Sequence, residues 1–171
     1  MKTGNWWWDT QDQLPAGETI VPVICASNKT HLTNFLSGQN AWPLYLMISN
    51  IRKDIRHTTT KRSWMLVGLI PCSPKGAKNT NEAWHSAVGT VLSLLRNLDI
   101  TGPGLNWDCA DGFERQCYPL WAVWVGDYLE QVTVAEVSYG FCPMCEIPKG
   151  APMGHLTFRP LDNPRDQHVY L

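Results

Sequence analysis

The chain has 171 residues, 44% of them hydrophobic, enough for one domain with a real core. Its net charge of -1 argues against a compact basic DNA-binding module, whose affinity comes mostly from neutralised phosphates. It does not exclude a catalytic core that meets DNA in a local groove. The opening M-K-T-G-N-W-W-W-D has no apolar h-region, and no apolar run is long enough to span a bilayer, so neither secretion nor a membrane is expected. Six cysteines without a secretory signal point to a reducing compartment, with thiols or metal ligands rather than disulfides. Nine tryptophans imply extensive packing in a piece that expects neighbours.

Residues 1–17 are polar and turn-rich apart from Trp6-Trp7-Trp8, and read as an arm whose tryptophans dock on the body or on a missing partner segment. The body is expected over residues 18–138 and an irregular tail over 139–171. Thr19–Ala26 is near-continuously apolar, as a central strand is, although Pro22 suggests an edge or bulge at its start. It stops at Ser27-Asn28-Lys29-Thr30. Ala41–Asn50 is a second strand and Ser63–Pro71 a third, and their short connections fit an antiparallel meander. Between them lies the only basic run, with Arg52, Lys53, Arg56, His57, Lys61 and Arg62. It reads as a solvated loop or short helical turn, or more sharply as a phosphate-facing loop. Asn79–Leu98 carries apolar residues at helical spacing. Cys117–Gly126 is a fourth apolar element, taken as a strand with a short helix as the alternative, and it ends at Asp127. Gln131–Ser138 alternates with period two and reads as a fifth strand.

The fold class expected is therefore α/β: a mixed sheet of three antiparallel strands, a helix and further strands, in the ribonuclease-H-like order. In that architecture the first and fourth strands lie side by side, which would bring Asn28 and Asp127 together at their carboxyl ends. Such strand ends are favoured places for chemistry, because the sheet holds a polar residue rigidly at its rim. Paired carboxylates there hold two divalent ions that activate a water and stabilise a leaving oxygen in phosphoryl transfer. Cys142-x-x-Cys145 is a zinc half-site, with His155 the best third ligand and Cys109 and Cys117 as spatial candidates. Two free thiols, or a site completed from outside the chain, are the alternatives. His31 and His85 have no visible catalytic partner. Asp108 and Asp111 are rival carboxylates, but Asp111-Gly112 reads first as a turn. The common nucleotide, hydrolase and metalloprotease motifs are not present in the sequence.

Several stretches together resemble the Plavaka-type transposases of fungal genomes, and more distantly the CACTA-type and KDZ groups. They are W-W-W-D-T-Q-D-Q-L-P from Trp6, I-V-P-V-I-C-A-S-N-K-T-H-L-T from Ile20, and A-W-P-L-Y-L-M-I-S-N-I-R-K-D-I-R from Ala41. A-W-H-S-A-V from Ala83, D-C-A-D-G-F from Asp108, G-D-Y-L-E-Q from Gly126 and Y-G-F-C-P-M-C from Tyr139 follow in order. The resemblance implies a nuclear, DDE-type ribonuclease-H-like nuclease that cuts transposon ends and joins DNA using two Mg2+ ions. The family's first acid sits in S-D-K-T, where this chain has Asn28. The second falls on Asp127, where the family reads D-Y-P-E-Q and this chain has Leu129 for the proline. The third, a glutamate on a later helix, is expected beyond Leu171. The resemblance therefore implies a C-terminally truncated, inactive fragment, with DNA or a full-length transposase as partner. The alternative is a non-catalytic DNA- or protein-binding module with the basic loop and a zinc knuckle.

Overall fold

In a computed structural model the residues described are 5–32, 40–72, 80–96, 100–138, 140, 141 and 143. Cys142, Cys145 and His155, and with them the expected zinc site, lie outside these residues. The elements run α1 (Asn5–Gln11), β1 (Thr19–Ser27), β2 (Thr30–His31), β3 (Asn40–Ile48), α2 (Lys53–Arg56), a 3-10 turn (Thr59–Lys61), β4 (Met65–Pro71), α3 (Thr80–Val91), β5 (Leu105–Asp108), β6 (Glu114–Val125) and α4 (Tyr128–Val134). The six strands form one mixed sheet. β1 lies between β3 and β6, β5 flanks β6, and both β2 and β4 pair with β3. Among the described residues, no helix is long and apolar enough to cross a membrane.

One register runs along β1, β2 and β3. Thr30 faces Ala41 and His31 faces Asn40 in antiparallel pairs. The same offset holds at Pro22, whose carbonyl accepts the Ser49 N–H at 2.9 Å. β2 is thus the continuation of β1, interrupted only at Asn28 and Lys29, and that offset sets Asn28 opposite Pro43 and Lys29 opposite Trp42. Proline has no N–H to give the ladder, so Asn28's carbonyl lacks its cross-strand donor. It accepts the Thr30 hydroxyl instead, at 2.9 Å. The break in the strand is written into β3, not into the turn residues themselves.

The chain divides into two compact units. The first comprises Met1–Ile24, Leu46–Met65 and Leu92–Val123. Its buried side chains include Trp7, Ile20, Val21, Val23, Ile24, Met47, Leu92, Cys117 and Tyr118. The arm carries helix α1, which Gln11 ties to the start of β1. Its amide donates to the Glu18 carbonyl at 2.9 Å and its carbonyl accepts the Ile20 N–H at 3.1 Å. Pro22 is fully buried in β1, a strand with neighbours on both sides, so the edge or bulge expected there gives way to a central position. β5, a short and mostly exposed strand that the sequence pattern does not announce, exists through its antiparallel register with β6, Leu105 facing Cys117 and Asp108 facing Glu114.

The second unit comprises Cys25–Tyr45, Leu66–Val91 and Trp124–Leu171. Its buried apolar side chains include Cys25, Ala41, Leu44, Ile70, Trp84, Val88 and Val132. Trp84 of α3 sits between Trp42 and Trp124, edge-on to both, with ring centroids 5.8 and 5.6 Å away. Such T-shaped contacts add to the area these rings bury. Helix α3 ends at Val91, earlier than the expected Leu98. Gln131–Ser138, read as a fifth strand from its alternation, is instead mostly helix α4 and the turn after it. The reason is local. Asp127 and Glu130 form a capping box that starts a helix, and the alternating hydrophobicity that follows does not outweigh it.

Candidate functional site

β1 and β6 deliver their carboxyl ends to the same place. The Trp124 indole N–H near the end of β6 donates to the Ser27 hydroxyl at the end of β1, at 3.1 Å. Ser27 itself is buried. Beyond it the chain becomes polar and exposed: Asn28, Lys29, Thr30 and His31 are all solvent-facing. Lys29 spans to its cross-strand neighbour, its Nζ 5.9 Å from the Trp42 ring centroid, and a cation over an aromatic face is a favourable contact. His31 Nδ1 meets Asn40 Oδ1 at 2.9 Å.

The residue that organises this end is Glu130, which sequence reasoning passed over. It is 1% exposed. One carboxylate oxygen accepts the Lys29 backbone N–H at 2.8 Å, and the other accepts the Asp127 N–H at 3.1 Å. Asp127 replies with Oδ1, which accepts the Glu130 N–H at 3.0 Å. Glu130 thus joins the tip of β1 to the first turn of α4. Burial pushes its carboxyl above the usual range, with the neighbouring Asp127 adding to the shift. Asp127 moves the other way, held down first by its hydrogen bond with the Glu130 side chain and then by the Glu130 N–H. The signal was present in the sequence as D-x-x-E at the helix start.

Asn28 sits in the gap between β1 and β2, exposed, and Asp127 is the exposed N-cap of α4. Their donor set does not fit a pair of Mg2+ ions. A dication pair needs bridging carboxylate oxygens, and Asn28 offers a neutral amide. Asp127 has one oxygen engaged as a helix cap, and both oxygens of Glu130 are taken by backbone N–H groups. Among the described residues, no group of three or more His, Cys, Asp or Glu side chains is placed to hold a metal.

The other candidates fall into structural roles. The His85 Nε2–H donates to the Thr133 carbonyl at 2.9 Å and lies 3.4 Å from Glu136, tying α3 to α4. Asp111 accepts the Phe113 N–H and a two-pronged bond from Arg115, at 2.8 and 2.7 Å, fixing the β5–β6 turn. Asp108 is exposed in β5, facing Glu114. In the basic run, Lys53 and Arg56 lie on α2, Lys61 ends the 3-10 turn, and Arg62 follows it with a left-handed φ of 49°. Arg52 is matched by Asp54, its Nε and Nη2 donating to the two carboxylate oxygens at 3.1 Å each. Lys53, Lys61 and Arg62 are exposed.

The fold is a mixed α/β sheet with polar residues where two adjacent strands end. Comparison with protein families is specific. The chain matches the Plavaka transposase family over residues 1–168, and it belongs to that family. Searches of curated proteins and of solved structures return no match.

Proposed function

We propose that this Plavaka-family chain is a ribonuclease-H-like transposase core whose DNA-cutting site is disabled, and that it engages DNA without cutting it. The strand order supports the architecture. With β2 counted as the end of β1, the sheet reads β4-β3-β1-β6-β5, with α3 following the third of the three meander strands and β5 an added edge strand paired to β6. That is the order in which a ribonuclease-H-like core sets its first and fourth strands side by side. The loss of cutting is supported by the neutral Asn28 at the tip of β1 and by the engagement of Asp127 in capping α4. One negative charge and a bridging oxygen are missing where two cations would repel each other.

DNA engagement rests on family membership and on the exposed cations Lys53, Lys61 and Arg62, with Arg52 and Arg56 flanking them. Nuclear placement follows from the same reading, and a full-length transposase is the matching protein partner. A zinc knuckle at Cys142, Cys145 and His155 would add a second grip, and zinc content after dialysis tests it. The decisive experiment incubates the unmodified chain with supercoiled DNA and Mg2+ across a salt series. Salt-dependent binding without nicking is expected, and robust Mg2+-dependent nicking would overturn the proposal.

A further inference from the structure

Strand β4 pairs with β3, and no second partner for it is found among the described strands. Its sequence, M-L-V-G-L-I-P, carries no charge. Met65, Leu66, Val67 and Leu69 are 63, 56, 37 and 54% exposed. Natural edge strands are normally blunted by lysine, by inward charges or by bulges, because an unpaired row of N–H and C=O groups recruits another strand. The opposite edge, β5, obeys that rule, with Asp108 exposed in it beside Glu114 of β6. β4 does not. Gly68 at its centre packs toward Val91 of α3, where an added Cβ would lie 3.1 Å from a valine methyl, so the helix lies close against one face of this strand.

We infer that β4 is the interface for a second copy of this chain, paired antiparallel with its counterpart across a two-fold axis. The strand is matched to itself. Centred on Gly68, antiparallel pairing sets Leu66 against Ile70 and Val67 against Leu69, apolar against apolar at every position. An isologous contact needs this self-matching, and cross-strand apolar pairs are favourable. The absence of charge disfavours a charged peptide or nucleic acid as the occupant. One seven-residue strand from each copy makes a small contact, short of the ~800 Å² per partner of a standard interface. The dimer is therefore expected to be weak and concentration-dependent. This inference does not depend on the catalytic state of the site.

Sedimentation velocity from about 1 to about 200 μM tests it, since that range covers weak, concentration-dependent association. The unmodified chain should shift from monomer toward dimer. Val67→Lys with Leu69→Lys should remain monomeric across the range while keeping its thermal midpoint, and Leu105→Lys, on the other edge, should dimerise like the parent. A parent that stays monomeric throughout, with β4 amides protected from exchange by another segment, overturns the inference. So does a dimer that survives the double substitution.

Discussion

Replacing Glu130 with glutamine tests the join between β1 and α4. Glu130 accepts two backbone N–H bonds, from Lys29 at 2.8 Å and from Asp127 at 3.1 Å, at a position 1% exposed. Glutamine is nearly the same size but keeps one acceptor oxygen and turns an NH2 toward the other N–H. One charge-assisted bond disappears, worth about 1.5–3 kcal/mol, and a buried N–H is left facing a donor. Removing a buried charge recovers part of its desolvation cost, so the net loss should be about 2 kcal/mol. In urea unfolding this appears as a lower midpoint with an unchanged slope. In thermal melts of a chain this size it corresponds to a fall of about 4–8 °C. The Lys29 and Asp127 amide resonances should both move. A variant within about 0.5 kcal/mol of the parent, the scatter expected of a surface change, with unmoved Lys29 and Asp127 amides, would refute the reasoning.

Other outcomes follow from the same geometry. Asn28→Asp should raise Mg2+ affinity over the parent in calorimetric titration, because it introduces a carboxylate at the tip of β1; an unchanged affinity would count against a cation site there. Reversing the charges of Lys53, Lys61 and Arg62 should lower the slope of log affinity against log salt by about 0.9 for each phosphate no longer neutralised, and an unaltered slope would show that this loop does not meet the DNA backbone. Gly126→Ala should destabilise by about 1–3 kcal/mol, since its Cβ would come within 2.7 Å of the Glu130 Cβ, a clash at the branch of a packed side chain. Asp111 is held to about 2 by Arg115 first and the Phe113 N–H second, so the pair's contribution is present above the ordinary aspartate range and lost as pH falls through about 2. Arg115→Gln should return the Asp111 titration toward its usual range, and an unmoved carboxyl midpoint would contradict that cause. Cys25, its thiol pushed up to about 12 by burial, should resist alkylation in the native state and react once unfolded.

The parts of the fold legible in the sequence are those with a long, uninterrupted signal. β1 announces itself as a central strand by its apolar run, and α3 by its helical stripe. The two places that resisted reading have short-range causes. Q-V-T-V-A-E-V alternates like a strand, yet two side chains at its start, Asp127 and Glu130, satisfy each other's backbone N–H groups and commit the segment to helix. β5 has too few residues and too much exposure to show a period, and only its pairing with β6 creates it. The site followed the same division. Asn28 was visible as a polar residue closing an apolar strand, whereas Glu130 was hidden among helix residues, because its importance lies in a hydrogen bond made 101 positions away with Lys29.

The proline at position 43 has a consequence for how this end of the molecule opens. Because Pro43 gives Asn28 no bond, the tip of β1 is fastened less by its own sheet than by the first turn of α4, through the Lys29 N–H. Amide exchange at Lys29 should therefore keep pace with the release of α4 and not with the unzipping of β1, whose amides should last longer. The rim at Asn28 is thus a locally labile part of the fold, held by a helix 101 positions further along the chain.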